Sequence, residues 1–163
     1  MVIGKKNETI FNIYLTKARN LCSRQEKCLF EMRNKLEIWK VPENISGKIL
    51  ISLVKNKFID EKRYAESFAK SKFNQNKWGR IKIKYALKEK KIPEEIVSEV
   101  LISEIPEEDY VVVISQILKA KNNNLGRDHR IKRIGKLIKY GTGKGFEYEL
   151  VKQVVEKILK NDN

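Results

Sequence analysis

The sequence predicts an all-α protein built from three tandem three-helix units. Three observations carry this. First, proline followed by acid recurs as Pro42-Glu43, Pro93-Glu94-Glu95 and Pro106-Glu107-Glu108, the composition of a helix's first turn. Second, the pattern Leu36-x5-Pro-Glu-x-Ile45-x3-Ile49-Leu50 returns 51 residues later as Leu87-x5-Pro-Glu-x-Ile96-x3-Val100-Leu101. Third, there is little strand signal. The β-branched run Val111–Ile114 follows Pro106-Glu107-Glu108 and is continued by Ile117-Leu118 at helical spacing, so it reads as a buried helix.

Taken in order, the helices are expected over 9–22, 24–39, 42–55, 60–75, 77–90, 93–102, 106–121, 127–140 and 147–160. Ser23-x-x-Glu26 fits a capping box for the second helix. Asp60 suits the N-cap of the fourth, and Glu61 the positive end of its dipole. The polar cluster from Lys121 to Arg127 breaks the chain before the eighth helix. Gly141-Thr142-Gly143-Lys144-Gly145-Phe146 reads as a helix C-cap followed by a turn, because it lacks the order of a phosphate loop and follows a helix. These elements group into a flexible tail over 1–8 and units over 9–55, 56–104 and 105–160. The third copy of the repeat is the loosest, with Leu137, Phe146, Leu150, Val154-Val155 and Ile158-Leu159. One such unit cannot bury its apolar face alone, so neighbours must stack.

With 163 residues the chain holds one ordinary domain or a short repeat array, and 41% hydrophobic residues make it globular. The net charge of +14 suits a polyanion, an anionic lipid or an acidic protein. That charge is uneven. Ten basic and two acidic residues lie between Arg63 and Lys91, and nine basic and one acidic between Lys119 and Lys144. The segment between them is acidic from Glu94 to Asp109. Cys22 and Cys28 are six apart with no histidine cluster, which reads as reduced, partly buried thiols. No secretory signal is expected in residues 1–9, and no run approaches the roughly 20 apolar residues of a membrane span. A cytoplasmic protein is expected.

The two basic regions map onto helices. At 100° per residue, Lys77, Arg80, Lys84, Lys88 and Lys91 form one stripe. Trp78, Ile81 and Tyr85 flank it on one side, and Ile83, Ala86 and Leu87 on the other, so both flanks are expected to pack. Lys82 adds to the same helix. The helix from Arg127 repeats the geometry: Ile131, Ile134, Leu137 and Ile138 mark its apolar side, and His129, Arg130, Lys132, Arg133, Lys136 and Lys139 carry its charge, with Tyr140 beside them. Cations at this spacing suit phosphate contacts, which give affinity and salt dependence with little sequence preference. Trp78 and Tyr85 could stack on unpaired bases, but the core reading is preferred for both, as it is for Trp39, Tyr64 and Phe68. No catalytic or metal-ligand arrangement surrounds His129, the one histidine, so neither an enzyme nor a cofactor is expected.

The motifs Phe58-Ile59-Asp60-Glu61, Arg63-Tyr64-Ala65, Phe68, Lys72-Phe73, Lys77-Trp78-Gly79-Arg80 and Lys82-Ile83 resemble the central repeat of the RecX family. The likeness extends upstream through Ala18, Leu21-Cys22, Glu26 and Lys35-Leu36, and downstream through Lys144-Gly145-Phe146, covering nearly the whole chain. The resemblance implies an elongated, curved array of tandem three-helix repeats. It also implies a negative regulator that binds the RecA filament on single-stranded DNA and inhibits recombinase, ATPase and coprotease activities, thereby modulating DNA repair and the SOS response. A monomer is expected, with the basic residues, Lys144 included, meeting RecA or the DNA backbone. Lys144 stands where the family usually has Arg before Gly-Phe, keeping charge but losing bidentate geometry. The alternative reading is a helical protein that binds nucleic acid without sequence preference and without RecA.

Overall fold

The structure is a computed structural model that describes residues 2–125 and 129–161. Among the described residues it is all helical: α1 Val2–Arg24, α2 Leu29–Ile38, α3 Glu43–Lys55, α4 Glu61–Asn74, α5 Arg80–Glu89, α6 Glu94–Glu104, α7 Glu107–Asn123, α8 Arg130–Gly143 and α9 Tyr148–Asn161. The closest helix pairs all fall within successive triplets, α1–α3, α4–α6 and α7–α9. The solvent-accessible surface is 10745 Å². A compact monomer of this mass would expose about 8,400 Å², so the array is elongated.

The repeat seen in the sequence is also a repeat of backbone geometry. In the first unit Lys40 takes a positive φ of 56°, its N–H bonds the Glu37 carbonyl at 2.8 Å, and the Val41 N–H bonds Leu36 at 3.0 Å. Lys91, 51 positions on, has φ 61°, with Lys91 to Lys88 at 2.9 Å and Ile92 to Leu87 at 3.2 Å. Both α2 and α5 therefore end in a Schellman cap with lysine where glycine is usual. Proline N-caps α3, α6 and α7, with the acid at the next position. Asp60 caps α4, accepting from the N–H groups of Lys62 and Arg63 at 3.1 Å each.

Four expectations change. Helix α1 begins at Val2, where a tail was expected over 1–8. It also runs through Arg24, so Ser23 is not a cap; its hydroxyl bonds the Asn20 carbonyl, and α2 starts at Leu29. The cause is tertiary: Glu26 pairs with Arg63 at 2.7 Å, and Cys28 turns into the core of the second unit. Helix α5 begins at Arg80, because Lys77 adopts φ 55° and the Trp78 N–H closes a turn on Lys72. Lys77 therefore leads into the helix rather than lying on its stripe. Helix α8 continues through Gly141 to Gly143, placing the turn at Lys144-Gly145.

Two hydrophobic clusters result. One fills the first unit, from Leu15 and Ala18 through Leu36, Ile49 and Leu53 to Ile59. The other is continuous through the second and third units, from Tyr64 and Phe73 through Leu87 and Tyr110 to Phe146 and Leu159.

The units are joined by a recurring device. Helix α2 has no side-chain cap of its own, and its Leu29 N–H donates to the Glu61 carboxylate of α4 at 2.7 Å. Helix α5 likewise lacks its own cap, and its Arg80 N–H donates to the Tyr110 hydroxyl of α7 at 3.0 Å. Leu29 and Arg80 occupy equivalent positions. In each case the first helix of the next unit satisfies an N-terminal donor of the preceding one. Burial pushes the Tyr110 hydroxyl well above its ordinary range, so it stays protonated and donates to Glu147 at 2.7 Å.

Candidate polyanion-binding surface

The expected stripe on α5 divides into three environments. Arg80 is a joint residue. Its guanidinium reaches Glu107 at 2.6 Å and the Ile105 carbonyl at 2.7 Å, and lies 4.3 Å from the centre of the Tyr110 ring. Lys84 and Lys88 both bond Glu94 at 2.7 Å, and these two hydrogen bonds hold the Glu94 carboxyl below the ordinary glutamate range. Their charge is partly answered within the unit. Lys91 is exposed on the α5 cap.

Lys82 takes the third environment, 4.6 Å from the Trp78 ring, and Lys72 of α4 lies 5.1 Å from that ring. Trp78 is half-buried between two cations. On the far flank Ile81 and Tyr85 are 55% and 65% exposed, so of that flank only Trp78 packs against the core, as Ile83 and Leu87 do on the other. Among the described residues, α5 makes its main helix contacts with α4 and α6.

On α8 the apolar side narrows to buried Leu137 and half-buried Ile134 and Ile138, while Ile131 is 84% exposed. Arg130, Lys132, Lys136 and Lys139 are exposed. Arg133 turns inward, donating from Nε and Nη2 to Asn122 Oδ1 at 3.2 and 2.8 Å. Arg127 lies outside the described residues.

A backbone contact brings the two helices together. The Gly79 N–H bonds the Lys144 carbonyl at 2.8 Å, and the Ile81 N–H bonds the Gly145 carbonyl at 3.1 Å. Gly145 permits this with φ 90°, open to glycine at little cost. Lys144 Nζ then bonds the Asn76 carbonyl at 3.2 Å and lies 5.9 Å from the Tyr140 ring, and Lys121 Nζ lies 5.5 Å from the same ring. Lys121, Lys136, Lys139, Leu125 and Tyr140 line one shallow notch of about 370 Å³. A single basic strip therefore runs from Lys72, Trp78 and Lys82 through Lys144 to Tyr140, Lys121, Lys136 and Lys139.

Sequence reasoning missed Lys72 and Lys121, which sit on α4 and α7 rather than on the basic helices. The available signal was their place beside aromatic and basic runs, Lys72-Phe73 and Lys119 to Lys121. No group of three or more His, Cys, Asp or Glu suited to a metal occurs among the described residues. No helix among them is long and apolar enough to cross a membrane.

Fold and surface together define a tandem three-helix repeat protein with a basic face spanning its second and third units. The family model described as RecX, second three-helix domain, matches residues 60–101. The regulatory protein RecX of Clostridium acetobutylicum is 32% identical over 138 residues, covering 82% of this chain and 63% of its own length. That of Clostridium beijerinckii is 32% identical over 133 residues, covering 81% and 62%. The chain thus spans a little over three-fifths of these curated relatives. Among solved structures, RecX from Lactobacillus salivarius superposes with a TM-score of 0.82 at 22% identity, covering 93% of this chain and 97% of that one. A second regulatory protein RecX superposes with a TM-score of 0.85 at 19% identity, covering 95% and 76%. The chain belongs to the RecX family. These relatives are named as regulatory proteins rather than enzymes.

Proposed function

We propose that this protein binds the RecA filament on single-stranded DNA and restrains it, lowering recombinase, ATPase and coprotease activity and so modulating DNA repair and the SOS response in the cytoplasm. The observation that supports this reading best is the continuity of the basic strip across the joint between the second and third units. Separate stripes on two helices could be solvated faces. A strip assembled by a backbone contact from α4, α5, α7 and α8 spans two units and suits an extended polyanion better than either stripe alone. Lysine contacts would supply affinity for phosphate or for acidic protein surface. Lys82, Lys132, Lys136, Lys139 and Lys144 would make those contacts, with Arg80 and Arg133 holding the helices that carry them. Lys77, Lys84, Lys88, Lys91 and Arg130 lie at the margins. An elongated monomer seated along the filament groove would bridge neighbouring RecA subunits and obstruct an incoming duplex.

The second reading, a nucleic-acid-binding protein independent of RecA, draws on the cation-flanked rings of Trp78 and Tyr140, which suit stacking beside phosphate. The test is ATP hydrolysis by the cognate RecA on single-stranded DNA with this protein titrated in. Inhibition well below one copy per RecA, at salt where free DNA is bound weakly, is expected. Inhibition only at DNA-saturating amounts would favour the second reading.

A further inference from the structure

The first unit carries none of the basic strip, yet it has an open, largely apolar groove. The groove is about 530 Å³ and runs between α2 and α3. Its floor is Leu29 from α2 and Leu50, Ile51 and Val54 from α3. Ile51 is 69% exposed and Val54 43% exposed. Gly47 completes the α3 stripe at helical spacing, and nothing lies within 4 Å of where its Cβ would stand, so a partner's backbone or a large side chain has room there. The rim is basic: Arg33 closes one side and Lys55 the other, both exposed, and no acidic side chain lines the groove. Arg33 also lines a neighbouring notch, together with Glu37 and Glu43.

The second unit shows this place partly filled, although Ile102, the counterpart of Ile51, is still 78% exposed there. There Leu29 is replaced by Arg80, whose guanidinium bonds the Ile105 carbonyl and Glu107. Val54 is replaced by Ile105, which is fully buried. Arg33 is replaced by Lys84, which meets Glu94. Each cation at this place in the second unit is thus met by a carboxylate from the same chain. In the first unit neither Arg33 nor Lys55 takes part in an ion pair among the described residues.

We propose that the α2–α3 groove is a docking site for an acidic amphipathic helix of a partner protein. Its apolar stripe would seat on Leu50, Ile51 and Val54, and its carboxylates would meet Arg33 and Lys55. The apolar spacing of the groove matches residues i, i+3, i+4 and i+7 of a bound helix. The charge on the rim selects an acidic sequence over a basic one. A concave trough between two helices accepts an inserted ridge, whereas a bilayer surface would require a convex apolar face. This site lies on different helices from the basic strip, so it goes beyond the function proposed above and can fail independently of it.

The test uses the full chain and a fluorescein-labelled 18-residue helical peptide with leucines at i, i+3, i+4 and i+7 and glutamates flanking them. Its lysine-for-glutamate twin serves as control, with binding followed by anisotropy. Binding of the acidic peptide at micromolar concentration is expected, with at least tenfold weaker binding to Ile51→Glu and to the Arg33→Glu/Lys55→Glu double variant. Both changes fall on exposed side chains, and unchanged melting would verify the fold. Four results would overturn the proposal: no binding of the acidic peptide, equal affinity for the lysine twin, binding indifferent to Ile51→Glu, or Ile51→Glu instead abolishing self-association in sedimentation or adsorption to phosphatidylglycerol vesicles. RecA inhibition by Ile51→Glu, measured in parallel, reports separately on the basic strip.

Discussion

Gly79 and Gly145 meet backbone to backbone. A Cβ on Gly79 would stand 2.2 Å from the Gly145 carbonyl oxygen, and one on Gly145 would stand 2.3 Å from the Lys82 Cβ. No side chain could yield to relieve the first of these contacts. Gly79→Ala is therefore expected to separate α5 from the α8–α9 turn, at a cost of about 3 kcal/mol, or roughly 6–12 °C in melting temperature. Hydrogen exchange should accelerate first at the Gly79 and Ile81 amides. A melting temperature within a degree of wild type would show that the joint is not rigid.

Arg80 and Lys82 stand two residues apart and should behave oppositely. Arg80→Ala removes the bonds to Glu107 and to the Ile105 carbonyl together with the contact on the Tyr110 ring. A loss of about 2–3 kcal/mol is expected. Arg80→Lys should recover only part of it, since an ammonium cannot reproduce the fork. Lys82→Glu combined with Lys139→Glu should leave melting nearly unchanged and weaken binding to single-stranded DNA or filament at least tenfold. Its salt slope should fall as well. Thermal melting beside a salt titration of binding distinguishes the two classes.

Tyr110→Phe keeps the ring between Phe73 and Phe146 but leaves the Arg80 N–H and Glu147 without the hydroxyl. The expected cost is about 1–3 kcal/mol. Denaturant melts should show the change in midpoint with an unaltered slope, because the exposed area on unfolding is the same.

The joint between the first two units should weaken in acid. Burial raises the affinity of Glu31 for a proton, but hydrogen bonds from Lys90 at 2.6 Å and from the Tyr64 hydroxyl at 2.9 Å outweigh it, so its carboxyl ends below the ordinary range. A folded value below the unfolded one stabilises the protein above the unfolded value. That stability is lost as pH falls through the folded value. Glu61 carries the opposite sign: burial raises it despite the Leu29 N–H, so protonation there favours the folded state and opposes part of the acid loss. Glu31→Gln should therefore lower stability at neutral pH and flatten the acid limb of a plot of melting temperature against pH. An acid limb identical to wild type would assign that dependence elsewhere.

Lys91 sits in the left-handed region at φ 61° at the end of α5. A non-glycine residue pays about 1–2 kcal/mol for that conformation, against about 0.4–1 kcal/mol of added chain entropy for glycine in the unfolded state. Lys91→Gly is expected to raise the melting temperature by a few degrees, and Lys40→Gly likewise.

Helix existence and order were legible in the sequence because they depend on local chemistry. Pro-Glu at three helix starts, Asp60 as a cap, and the 51-residue recurrence that carries Lys40 and Lys91 all act over a few residues, and the helices follow them. The family resemblance was legible for the same reason. Contacts distant in sequence decided the rest. Ser23 and Glu26 have the spacing of a capping box, yet α1 runs through Ser23 because Glu26 is drawn to Arg63, 37 residues away. Lys77, Arg80 and Lys84 share a stripe on an ideal helix, but the turn at Lys77 breaks it and Glu107 and Glu94 divide what remains. Charge at helical spacing reports which way a side chain points and says nothing of what comes to meet it. The tertiary structure supplied that, by bringing Lys144 to Asn76 and Gly145 to Gly79, and so joining cations from four helices into one surface.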